Sequence, residues 1–124
     1  MANKLRAAFD IVLNGKEYTL RPTFEAIALF MDKTGMDPFE AWAKCQEGGK
    51  IKTIVGAIWA GIAGESVLQG KRDYPSYTKI GEECQAHGFP ECFEFAIKFL
   101  TNATASDAAL KKLSETEAPT SPNE

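Results

Sequence analysis

Apolar and polar residues alternate with a period of two through Phe9-Asp10-Ile11-Val12-Leu13, which puts Phe9, Ile11 and Leu13 on one face. Across Asn14-Gly15 the alternation resumes in Lys16-Glu17-Tyr18-Thr19-Leu20, with Tyr18 and Leu20 as the apolar positions. Asn-Gly is the two-residue loop whose positive φ angles match the twist of paired strands, so the pattern predicts a β-hairpin. An isolated hairpin is marginally stable in water, so this one must pack on the elements that follow.

Beyond Pro22 the period changes to that of a helix. Thr23 is placed as a cap and Gly35 as a left-handed stop, which predicts a first helix from Phe24 to Thr34. At 100° per residue Phe24, Ile27, Ala28 and Met31 share one face, and Glu25, Asp32 and Lys33 form the opposite, wet one. Leu29 falls among the charges and is expected to be exposed. Asp37, with Pro38 at the first helical position, opens a short second helix that ends by Gly48-Gly49. The third helix, Lys52 to Ala63, has no charge after Lys52 and is apolar all round, the pattern of a central core helix or of one facing a partner. Its Gly56, Ala57, Ala60 and Gly61 allow a neighbour to approach closely. A polar connection, Glu65 to Pro75, leads to a fourth helix capped by Ser76 and spanning Tyr77 to His87. A fifth runs from Pro90 to Leu100, with Glu91, Glu94 and Lys98 on its wet side. From Asn102 to Glu124 there are two leucines and no aromatic residue, too little apolar surface to offset the cost of ordering the chain. The expectation is one α+β domain over residues 5–101, a hairpin packed on about five helices, followed by a disordered tail over 102–124.

Composition narrows the function classes. With 14 basic and 17 acidic residues mixed along 124, the net charge is −3, which argues against wrapping nucleic acid. The most apolar stretch, Thr53 to Gly64, falls short of the roughly 20 residues needed to span a bilayer, and the N-terminus lacks the apolar run of a secretion signal. Three cysteines without paired spacing read as reduced thiols rather than a disulfide framework.

Candidate chemistry is sparse. No glycine-rich phosphate loop, nucleophile elbow or paired-histidine helix motif occurs, so no enzyme and no cofactor are expected. Cys84 and His87 lie three apart on one helical face, and Cys92 returns within a turn, so the three could aim at a zinc ion with Cys45 as a fourth ligand. The competing reading is that Cys84 extends the core stripe of Tyr77 and Ile80 while His87 answers the dipole at its helix end. That reading is preferred, and no metal is expected. Glu82, Glu83, Glu91 and Glu94 read as solvated helix faces, and Trp42 and Trp59 as packing residues with interface anchoring as the alternative.

The order of these pieces resembles a known family. Leu13-Asn14-Gly15-Lys16-Glu17-Tyr18-Thr19-Leu20-Arg21 precedes a helix ending Asp32-Lys33-Thr34-Gly35, and Met36-Asp37-Pro38-Phe39 opens a short one. Ile58-Trp59-Ala60-Gly61-Ile62 and Tyr77-Thr78-Lys79-Ile80-Gly81 follow. Over residues 9–101 the chain resembles the small tail assembly chaperones of long-tailed, siphovirus-type bacteriophages and of gene transfer agents. The resemblance implies a non-enzymatic protein of the host cytoplasm that coats the tape measure protein, helps recruit tail tube subunits and is absent from the mature virion. It also implies that the chain corresponds to the short product of a gene that, in many relatives, is extended by frameshifting. Client coating calls for exposed apolar anchors, and Leu29, Phe39 and Trp42 are the candidates for tape measure binding or self-association. The alternatives are a structural virion component, such as a head–tail connector or minor tail protein, and a small metal-binding regulator using Cys84, His87 and Cys92.

Overall fold

Asn14 and Gly15 both take positive φ, 53° and 82°, and their turn holds β1 (Phe9–Leu13) antiparallel to β2 (Lys16–Leu20). Phe9 pairs with Leu20 and Leu13 with Lys16. Ile11, Leu13 and Leu20 turn inward while Val12 faces solvent, as the alternation dictates. The computed structural model describes residues 8–47 and 50–105. Within them the hairpin is followed by α1 (Phe24–Thr34), α2 (Pro38–Cys45), α3 (Ile51–Leu68), α4 (Tyr77–His87) and α5 (Phe89–Thr104), a mainly helical α+β fold.

The helix ends follow local chemistry. The Ala26 amide donates to Thr23 Oγ1 at 3.0 Å, the Phe39 amide to Asp37 Oδ1 at 2.8 Å and the Lys79 amide to Ser76 Oγ at 3.1 Å. Gly35, at φ 74°, ends α1 by donating to the Met31 carbonyl.

α3 is the core. Thr53 to Gly64 are buried without a break, and β2, α1, α4 and α5 all pack against this stretch. By length and hydropathy α3 could cross a membrane; in this fold 67% of it is buried inside the protein. Its glycines set how close the neighbours come. A Cβ at Gly56 would lie 2.5 Å from Thr34 Cγ2, one at Gly64 2.6 Å from Ala26 Cβ, and one at Gly61 2.7 Å from Leu20 Cγ. Thr34 and Phe30 of α1 thus lie against Gly56 of α3 and Ala26 against Gly64, so the two helices run antiparallel in close contact. Between α1 and α5, the Phe30 and Phe99 rings meet at 6.3 Å.

That seam turns α1 about its axis from the expected orientation, with Glu25, Asp32 and Lys33 still exposed. Its inward face is Ala26, Phe30 and Thr34, while Phe24 is 84% and Met31 42% exposed. Leu29 is half-buried against the core instead of exposed. Close approach to the α3 glycines selects the face with small residues and one large anchor over the face with more apolar bulk.

Two helices outrun their expected ends. α3 continues past Ala63 to Leu68, because Glu65 turns to Arg21 (Nε to Oε1 2.6 Å) and the stop falls at Gly70, φ 81°. α5 continues through Thr104 with Asn102 buried, so residues 102–104 belong to the folded helix rather than to a tail. The expected disorder of residues 106–124 lies outside the described residues.

Candidate functional site

The cysteines and the histidine go to different places. Cys45, Cys84 and Cys92 are free, buried thiols. Burial pushes all three up from their ordinary value, in Cys84 with a further push from Cys92, so they pack as neutral groups. Cys92 Sγ lies 3.8 Å from the Cys84 carbonyl, within its own helix pair. His87 uses both ring nitrogens elsewhere. Nδ1 accepts the Asn14 amide of the hairpin turn at 2.8 Å, so Nε2 carries the proton toward Glu91 Oε1 at 2.7 Å. The imidazole therefore latches the hairpin tip to α4 and α5. Among the described residues no group of three or more His, Cys, Asp or Glu is placed to hold a metal ion.

A polar node that the sequence pattern conceals lies one turn earlier on α4. Glu83 is buried rather than solvated, taking Lys16 Nζ at 2.6 Å and the Tyr18 hydroxyl at 3.2 Å, with Lys79 Nζ at 3.5 Å. Burial alone would push its carboxyl up; the Lys16 hydrogen bond and charge, the Tyr18 hydroxyl and Lys79 outweigh it and hold it below its ordinary value of 4.5. Lys16 is raised by the same bond, and Tyr18 by burial and by the Glu83 charge. The node ties β2 to α4, which explains how a two-stranded hairpin becomes a stable part of the fold. Glu83→Ala is expected to cost about 1–3 kcal/mol in chemical denaturation at neutral pH. A group with a lowered folded pKa stabilises above its unfolded value, so the wild-type advantage should fade as pH drops below 4.5 through the lower folded value. An advantage independent of pH would assign the effect to packing.

The remaining feature is apolar surface. A shallow groove of about 420 Å³ runs along α1, lined by Phe24, Ile27, Ala28, Met31 and Asp32. A second, of about 380 Å³, lies where α3, α4 and the start of α5 meet, with Ile51, Val55, Tyr77 and Phe89 among its walls. Of the candidates named from sequence, Phe39 is 68% and Trp42 40% exposed on α2, and the Trp42 indole N–H donates to Thr101 Oγ1 at 3.2 Å. Leu29 does not join them. Trp59 is internal: its N–H donates to the Pro75 carbonyl at 3.0 Å, its ring meets Tyr74 and Tyr77 edge-on, and Lys33 Nζ lies 5.4 Å over it. The exposure of the α1 stripe is hidden in the sequence, where it reads as the inside of an amphipathic helix. The signal that could have found it is the matching row Gly56, Ala60, Gly64, which calls for small residues opposite. Comparisons with models of protein families, with curated proteins and with solved structures find no match.

Proposed function

We propose that this chain is a tail assembly chaperone of a long-tailed bacteriophage or prophage, a binding protein that covers the tape measure protein and helps bring tail tube subunits to it in the host cytoplasm. The observation that carries the reading is the apolar stripe on α1, where Phe24, Ala28 and Met31 are exposed and Ile27 is half-buried, together with the exposed Phe39 and Trp42 on α2. Monomeric proteins rarely leave adjoining large apolar side chains uncovered without a partner for them, and coating a long client needs shallow apolar anchors rather than a deep polar pocket. The buried, neutral thiols and the latched His87 leave the polar chemistry of α4 and α5 to structural roles, which favours binding over the metal-regulator alternative.

The test against a structural virion component is quantitative mass spectrometry of infected-cell lysates and of purified virions. A chaperone is abundant in the lysate and absent from the particles. Retention in virions at a fixed ratio to the tube subunit would replace this reading with that of a connector or minor tail protein.

A further inference from the structure

The α1 groove has a chemistry that specifies its occupant. Phe24, Ile27, Ala28 and Met31 recur at the spacing of one helical face, so the apolar strip runs along the helix axis. Glu25 and Asp32, seven residues apart, line up along one edge of that strip, and both are exposed. The one base of α1, Lys33, is engaged elsewhere, its Nζ lying over the Trp59 and Tyr77 rings at 5.4 and 5.1 Å. The edge is therefore acidic, with no cation of its own helix to neutralise it.

We propose that this face receives an amphipathic helix of a partner protein whose apolar stripe is bordered on one side by lysine or arginine, the basic border meeting Glu25 and Asp32. The proposal rests on the chaperone reading and deepens it, naming α1 as the client face. Charge decides among the occupants. Two copies stacked antiparallel about a twofold axis would bring Glu25 and Asp32 of both chains to the same side, where like charges repel. Stacked parallel, each acidic edge would face α1 residues that offer no base, and the net charge of −3 adds to the repulsion. An anionic membrane surface is attracted by basic rims, the opposite of what this groove carries. A helix with a basic border satisfies the apolar strip and the edge together.

The experiment co-expresses the full chain with a tape measure protein from the same genome and measures the soluble client. Phe24→Ser/Met31→Ser and the charge reversal Glu25→Lys/Asp32→Lys are compared with the wild type and with Val12→Ser, which removes an exposed apolar side chain from the hairpin. Circular dichroism of each purified variant verifies folding. The expected result is a loss of soluble client of about tenfold for both α1 variants and none for Val12→Ser, as when an interface loses a central anchor. If the wild type holds the client and both α1 variants hold it equally, the assigned face is wrong while the chaperone reading stands. A wild type that leaves the client insoluble overturns both. Loss with the apolar variant alone overturns the basic border. Sedimentation of the protein by itself gives the remaining outcomes: a wild-type dimer that Phe24→Ser/Met31→Ser dissociates assigns the face to a second copy, and a monomer supports the proposal.

Discussion

Trp59→Ala is expected to lower the unfolding free energy by about 3–5 kcal/mol, a large share of the 5–15 kcal/mol that holds a domain of this size. The indole is 8% exposed and makes three kinds of contact at once. Its N–H donates to the Pro75 carbonyl, its ring takes Tyr74 and Tyr77 edge-on at 6.3 and 6.2 Å, and Lys33 lies over its face. Truncation would release the connection between α3 and α4 and the C-terminal end of α1 together. Trp59→Phe keeps a ring and loses the hydrogen bond, so it should cost less, about 1–2 kcal/mol beyond its change in volume. Urea unfolding followed by circular dichroism measures both. A fully stable Trp59→Ala would show that the cluster is decoration on a fold held elsewhere.

Glycine substitutions in the helices should change sign with position. A residue other than glycine gains up to about 1 kcal/mol in helix propensity. At Gly81 that gain should be realised, because an added Cβ meets Val55 Cγ1 at 3.6 Å, an ordinary contact, so Gly81→Ala should stabilise. At Gly64 the same atom would fall 2.6 Å from Ala26 Cβ and 2.7 Å from the Arg21 carbonyl oxygen. Backbone cannot rotate out of the way as a side-chain tip can, so the clash must separate α1 from α3. Gly64→Leu is expected to cost about 3 kcal/mol or more, at the upper end for overpacked cores. Thermal unfolding of the two variants should move in opposite directions. Equal stabilisation would mean that α1 does not cross α3 at Gly64.

The elements whose signals are local were legible in the sequence. Asn14-Gly15 fixed the hairpin, Thr23, Asp37 and Ser76 fixed three helix starts, and the charge-free run of α3 marked the core helix. Features decided between elements were not. Which face of α1 turns inward depends on the glycine row of a helix more than twenty residues away, so Phe24 and Met31 came out exposed and Leu29 half-buried. Glu83 looks like any surface glutamate until β2 delivers Lys16 and Tyr18 to it. The extra turns of α3 and α5 have the same origin, since Arg21 draws in Glu65 and Asn102 is buried by the packed helices. Of the three anchors named from sequence, Phe39 and Trp42 on the short α2 are exposed, although the Trp42 indole reaches Thr101 of α5.

On the proposed reading, the protein keeps a long client soluble by covering it. The most direct measurement is the yield of soluble tape measure protein, expressed in bacteria with and without this chain and followed by size-exclusion chromatography. The client is expected to aggregate alone and, with the chain present, to elute soluble in a complex carrying many copies of it. A client that is equally soluble without the chain, or that elutes apart from it, would show that the protein does not act by covering it.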